Sequence, residues 1–123
     1  MELALLQKTE ILFLKNLKSC IIKAAVTKST VFVDNCTNCT FDLNCHQLRI
    51  HNTYESKFNI FVTSKAIIED CNKIIFSPYK FEYEDRVKHE TEEEKIKKPN
   101  QWREIQDFNW LKENEKSPHY TLE

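Results

Sequence analysis

The stretch that decides the fold is residues 33–41, VDNCTNCTF, because three other segments of the chain align with it. Those segments start at Leu14, Ile50 and Ile68, so the four starting residues are 19, 17 and 18 positions apart. Repeats of this length, with short alternating strands between polar corners, are typical of a β-helix, in which like residues stack in successive rungs. The spacing by itself leaves a β-sandwich open as the alternative.

Stacking of the four segments predicts columns of like residues. One column is an aromatic ladder inside the coil, formed by Phe41, Phe58 and Phe76. Another is a polar column at the corners, formed by Asn16, Asn35, Asn52 and Asp70. The chain has no glycine, so asparagine and aspartate are expected to supply the left-handed backbone geometry of the turns.

Composition places the chain among single-domain proteins without nucleic-acid or membrane partners. Its 123 residues suffice for one core, and 18 Lys plus Arg against 19 Asp plus Glu give no basic excess for nucleic acid. No apolar run approaches the length of a membrane span, and the first ten residues do not resemble a secretion signal. An odd number of cysteines, five, fits free thiols, so we expect a cytoplasmic protein.

A zinc site is the alternative interpretation of residues 35–52, which contain three cysteines and two histidines. The repeat, however, assigns Cys36 and Cys39 to different inward columns, and no second ligand pair with zinc-finger spacing follows. We therefore predict no metal and no cofactor.

The segment QLRIH, residues 47–51, reads as a strand with Leu48 and Ile50 pointing inward. Gln47, Arg49 and His51 then share the outer face. The register of the repeat gives each of them two neighbours: Thr30 and Lys65 beside Gln47, Phe32 and Ile67 beside Arg49, and Asp34 and Glu69 beside His51.

An exposed arginine between an exposed Phe32 and an exposed Ile67 has the composition of a docking surface. Asp34 and Glu69 could hold His51 or orient the arginine. The alternative is an ordinary surface salt bridge of Arg49, which contributes under about 1 kcal/mol.

Five stretches of the chain together resemble the C-terminal domain of the tubulin-binding cofactor C family: STVFVDNCTNC, CHQLRIHNT, VTSKAIIEDC, FSPY and DFNWL. They occur in the family's order and cover the chain from about residue 10 to about residue 120. The resemblance implies an all-β fold, a right-handed parallel β-helix of short rungs with a C-terminal segment packed against it.

The family's Q-x-R-x-H signature is matched by Gln47, Arg49 and His51. By that resemblance Arg49 is the arginine finger of a GTPase-activating protein, Gln47 belongs to the catalytic site, and His51 supports it. Phe32, Ile67, Asp34, Glu69 and Lys65 would form the supporting partner surface.

The implied function is a step in tubulin folding. GTP-bound β-tubulin, held with tubulin cofactors D and E, would be stimulated to hydrolyse GTP and to release the folded heterodimer. The chain itself would have no nucleotide site, because a phosphate-binding P-loop requires glycine. The alternatives are an activator of a small Arf-like GTPase and a non-catalytic β-helix scaffold.

The predicted organisation is one domain. Residues 1–10 form a lead-in, 11–81 the β-helix rungs, 82–101 a charged loop, and 102–123 a segment covering the coil. Trp102, Trp110 and Phe108 are expected to pack on the core, with a partner motif in DFNWL as the alternative.

Overall fold

Strands rich in β-branched and aromatic residues alternate between two parallel sheets. The structure, a computed structural model, describes residues 1–81, 100–110, 112 and 115–123. Its strands are β1 Glu2–Leu5, β2 Leu12–Lys15, β3 Ile21–Val26, β4 Thr30–Asp34, β5 Thr40–Cys45, β6 Gln47–His51, β7 Lys57–Val62, β8 Ala66–Glu69, β9 Ile74–Pro78, β10 Ile105–Asp107 and β11 Tyr120–Leu122. None of the described residues belongs to a helix that could span a bilayer.

One sheet has the strand order β1-β3-β5-β7-β9-β11 and the other β10-β8-β6-β4-β2. The ladders between these strands are parallel and join consecutive rungs, so the chain coils as a parallel β-helix. The predicted all-β fold is confirmed. Within residues 1–10, expected to be a lead-in, β1 already pairs with β3, so strand pairing begins earlier than the repeat predicted.

The aromatic ladder fills the core between the sheets. Phe41, Phe58 and Phe76 are each fully buried, and adjacent rings have centroids 4.9 and 5.8 Å apart. All five cysteines are buried and unpaired with one another. Cys36 and Cys71 share a column, separated by Thr53 of the intervening rung. The predicted columns of like residues are therefore present, and they leave the outer faces free for other roles.

Two columns of left-handed residues form the corners of the coil. Eight described residues that are not glycine have φ between 51° and 58°. The predicted column is Asn16, Asn35, Asn52 and Asp70, and a second, unpredicted column three positions later is Ser19, Asn38, Glu55 and Lys73. Side chains join successive rungs, as where Asn35 Nδ2 donates to Asn16 Oδ1 at 2.8 Å. The corners therefore replace glycine with residues that also hydrogen-bond across rungs.

We expect Asn35→Ala to lower the free energy of unfolding by about 1 kcal/mol, because alanine disfavours positive φ. Asn35→Gly should cost less, since glycine takes this conformation without strain. Asn72, exposed and outside the positive-φ set, is the matched control: there glycine should destabilise more than alanine. Urea unfolding of the four variants measures this, and the same Ala/Gly order at both sites would contradict it.

The C-terminal segment adds one strand to each sheet. Ile105 pairs with Ala66, and Tyr120 pairs with Ile74. Most of the predicted charged loop at 82–101 lies outside the described residues. Trp102 packs against the core as expected.

Asp107 fastens the two C-terminal strands to each other. Its carboxylate accepts hydrogen bonds from the Ser117 hydroxyl and from the His119 ring. Burial raises the pKa of Asp107, but these hydrogen bonds outweigh it and leave that pKa below its ordinary value. Asp107 pairs with Ile68, whose side chain points into the coil. The last strand of this sheet therefore ends in a hydrogen-bonded polar group.

Candidate functional site

The centre of the candidate site is β6, whose residues alternate as predicted. Leu48 and Ile50 are buried in the core, whereas Arg49 and His51 are exposed and Gln47 is half-buried. Because the inward side chains are packed in a central strand with neighbours on both sides, the backbone under Arg49 is held firmly.

The predicted neighbours of β6 are the observed ones. Phe32 and Ile67 pair with Arg49 from either side. Asp34 and Glu69 pair with His51, and Thr30 pairs with Gln47. Lys65 directly precedes Ala66, the partner of Leu48, so it lies beside Gln47. The eight predicted site residues therefore lie on one sheet face, in the register that the repeat predicted.

Ile67 differs from the prediction in its exposure. Phe32, also expected to be exposed beside Arg49, is half-buried, whereas Ile67 is 6% exposed. The reason is β10, which adds a strand beyond β8 and places Gln106 next to Ile67. Ile67 therefore lies on the outer face but is largely covered beside the added strand.

Phe13 supplies apolar surface that sequence reasoning missed. It pairs with Phe32 in the ladder between β2 and β4, and the two rings stack with centroids 4.9 Å apart. Phe13 is 58% exposed. The signal was present in the repeat, since Phe13, Phe32, Arg49 and Ile67 each directly precede the starting residue of their segment.

Phe108 was expected in the core, and that expectation is wrong. Its backbone N–H donates to Ile68 just beyond the end of β10, which places it beside Glu69 in an outward position. It is 44% exposed and lines the same groove as Arg49. Trp110, from the same motif, is half-buried, and its Nε1 donates to the carbonyl of Glu115.

A shallow groove of about 290 Å³ follows this face. Its outward-facing lining consists of aromatic and charged residues: Phe13, Lys15, Phe32, Asp34, Arg49, His51, Ile67, Glu69 and Phe108. We name this set the arginine groove. It combines apolar contact area with one central guanidinium, which suits contact with an anion carried by another protein.

Arg49 has no ion pair within the described part of the chain. Its Nε donates to Gln47 Oε1 at 3.3 Å, and that contact fixes the direction of the side chain. Asp34, one of the two carboxylates in the adjacent row, instead contacts His51, with 3.0 Å between Oδ1 and Nδ1. The guanidinium of Arg49 therefore keeps its donors available for an incoming anion.

The hydrogen bond to Asp34 raises the pKa of His51 above its ordinary value of 6.5. We expect Asp34→Asn to lower that pKa toward 6.5, as measured by an NMR titration of the imidazole. A raised pKa in the folded state means that protonation stabilises the fold. This stabilisation is complete below pH 6.5 and is lost as the pH rises through the folded-state pKa. A His51 pKa at or below 6.5 in the unsubstituted chain would contradict the assignment.

Metal ligands are poorly arranged on this face. Among the described residues, His51, Glu69 and Asp70 bring three ligand atoms within 4.8 Å of one another, but all three residues are exposed and His51 is already paired with Asp34. Burial raises the pKa of Cys45 to about 12 and that of Cys71 to about 11. Zinc binds thiolates, and these thiols resist deprotonation.

Comparison with known proteins gives one consistent result. A family model for tubulin binding cofactor C matches residues 2–108. Tubulin-specific chaperone C of Homo sapiens is 35% identical over 104 residues, covering 85% of this chain and 30% of that protein. Tubulin-folding cofactor C of Arabidopsis thaliana is 36% identical over 115 residues, covering 90% of this chain and 32% of that protein.

A solved structure agrees with these sequence matches. Tubulin binding cofactor C from Leishmania major superposes with a TM-score of 0.81 at 26% sequence identity. The match covers 99% of this chain and 82% of that chain. The chain thus spans about a third of the length of the curated relatives above but most of the solved one.

Proposed function

The chain belongs to the tubulin binding cofactor C family, a family of tubulin-folding chaperones, and from this premise we propose that it activates GTP hydrolysis with Arg49 as an arginine finger. The observation that carries the proposal is the state of Arg49: exposed, mounted on a central strand and without an ion pair in the described part of the chain. A structural arginine would be paired with Asp34 or Glu69, which lie diagonally to it on the two adjacent strands.

The chemistry of the finger follows from charge. GTP hydrolysis spreads negative charge over the oxygens of the transferring phosphoryl group, and a guanidinium placed there stabilises it. Arg49 would offer its terminal nitrogens to those oxygens, while Gln47 holds Nε. Because β6 is already ordered, little conformational entropy is lost when the finger engages.

The partner we propose is GTP-bound β-tubulin, held with tubulin cofactors D and E. Hydrolysis would release the assembly-competent heterodimer, so the chain would act late in tubulin folding, in the cytoplasm. The exposed Phe13 and Phe108 and the half-buried Phe32 would contact the protein surface around the nucleotide, since aromatic rings are typical of the apolar centre of an interface. The nucleotide site belongs to the partner in this scheme.

The test is a GTP hydrolysis assay on tubulin with cofactors D and E, in the presence and absence of this chain. We expect hydrolysis above background only when all components are present, and phosphate release is the readout. Stimulation of an Arf-like small GTPase but not of tubulin would assign a different partner. Binding to the tubulin complex without stimulation would contradict the catalytic role and favour a scaffold.

A further inference from the structure

A row of ionisable side chains lies next to Arg49 on the outer face. Lys15, Asp34, His51 and Glu69 occupy the same position in four adjacent strands, so charges alternate along the row. Each is two residues further along its strand than the row that contains Arg49. Diagonal neighbours of this kind have Cα atoms about 7–8 Å apart, within reach of a long side chain.

This arrangement places carboxylates near Arg49, whose guanidinium must stay unpaired to bind a phosphoryl group. A carboxylate and a guanidinium form a bidentate, charge-assisted pair, and Asp34 is close enough in register to form one with Arg49. Such a pair would occupy the donors that a phosphoryl group needs. Some feature of the site must therefore hold Asp34 elsewhere.

His51 is that feature, because both nitrogens of its ring contact carboxylates. Nδ1 lies 3.0 Å from Asp34 Oδ1, and Nε2 lies 3.3 Å from Asp70 Oδ2. A ring with two acidic neighbours is favoured in its doubly protonated form, in which both nitrogens donate. The raised pKa of His51 agrees with this geometry.

We propose that His51 is a positioning residue that engages Asp34 and so keeps the guanidinium of Arg49 unpaired. The consequence for hydrolysis rests on the proposed function, whereas the pairing itself can be measured in the isolated chain. Glu69, on the other side of His51, also lies near this ring, since one of its carboxylate oxygens is within 4.8 Å of a ring nitrogen. Lys15 lies on the other side of Asp34. The ammonium of Lys15 lies 5.5 Å from the centre of the Phe13 ring, so His51 is the cationic group that contacts Asp34.

The first experiment observes Arg49 directly by NMR of its side-chain Nε–H. The chain has three arginines, Arg49, Arg86 and Arg103, so this signal can be assigned by substitution. In His51→Ala we expect the Arg49 signal to shift and its exchange with water to slow, as Asp34 turns to the guanidinium. His51→Ala/Asp34→Asn should return the signal to its original position.

The matched control is His46→Ala. His46 is an exposed histidine directly before β6, where its ring contacts Thr63 Oγ1 at 2.7 Å. We expect this substitution to leave the Arg49 signal unchanged. An unchanged Arg49 signal in His51→Ala, with a folded amide spectrum, would overturn the proposal.

The second experiment repeats the hydrolysis assay with these variants. An exposed ion pair is worth up to about 1 kcal/mol, so His51→Ala should lower kcat/KM about twofold to fivefold. The double variant should recover the loss, which a merely structural role of His51 does not predict. An equal loss in both variants would overturn the positioning role. Stimulation that survives Arg49→Ala would overturn the proposed function, while the NMR result would still decide the pairing.

Discussion

Arg49→Ala is expected to reduce stimulated GTP hydrolysis by roughly 10³-fold or more, which is the contribution of arginine fingers supplied by GTPase-activating proteins. The side chain is exposed and makes no core contact, so the variant should keep the fold. Circular dichroism and single-turnover phosphate release from the tubulin complex measure the two properties. Because the loss lies in transition-state stabilisation, binding to the complex should change far less than the hydrolysis rate.

Two further variants make this result specific. Arg49→Lys should recover little activity, because an ammonium lacks the planar fork of donors that matches phosphoryl oxygens. Arg103→Ala removes another exposed arginine, which lies over the Trp102 ring and does not line the arginine groove, and should leave stimulation unchanged. Full stimulation by Arg49→Ala would contradict the finger assignment.

Phe58→Ala should produce the largest loss of stability, about 3–5 kcal/mol. Phe58 is fully buried between Phe41 and Phe76, so its removal leaves a cavity that two neighbouring rungs cannot close. The loss approaches the lower end of a domain's net stability, about 5–15 kcal/mol, so partial unfolding of this variant would agree with the prediction. Urea unfolding monitored by circular dichroism measures it.

Phe13→Ala is the matched control for this prediction. Phe13 is also stacked on another phenylalanine, but it lies on the outer face and is 58% exposed. Its removal should cost less than about 1.5 kcal/mol, the upper end for an aromatic pair. Equal losses in the two variants would show that the ladder inside the coil is no better packed than the surface pair.

The repeat predicted the coil and the register of the site because both depend on local spacing. Once residues 33–41 were aligned with their three counterparts, the neighbours of Arg49 and His51 followed by counting. The second corner column was missed because its members, Ser19, Asn38, Glu55 and Lys73, share a backbone conformation but no side-chain chemistry.

The exposures of Ile67 and Phe108 could not be predicted in the same way. Both depend on β10, which is separated from β8 by a long stretch with no repeat to set its register. Hydrophobicity assigned Phe108 to the core, and the register of the repeat left Ile67 exposed; each assignment was wrong. The pairing of Asp34 with His51 instead of Arg49 also depends on side-chain conformation, which spacing does not determine.

The parallel ladders also set the order in which the chain can fold. Contacts between neighbouring rungs join residues only 17 to 19 positions apart, so each added rung closes a loop of nearly the same length and loses nearly the same entropy. Asn109, just past β10, contacts Asp70 across 39 positions. Folding that spreads from rung to rung would therefore complete the coil before the C-terminal strands dock, and Phe108 would join the arginine groove last.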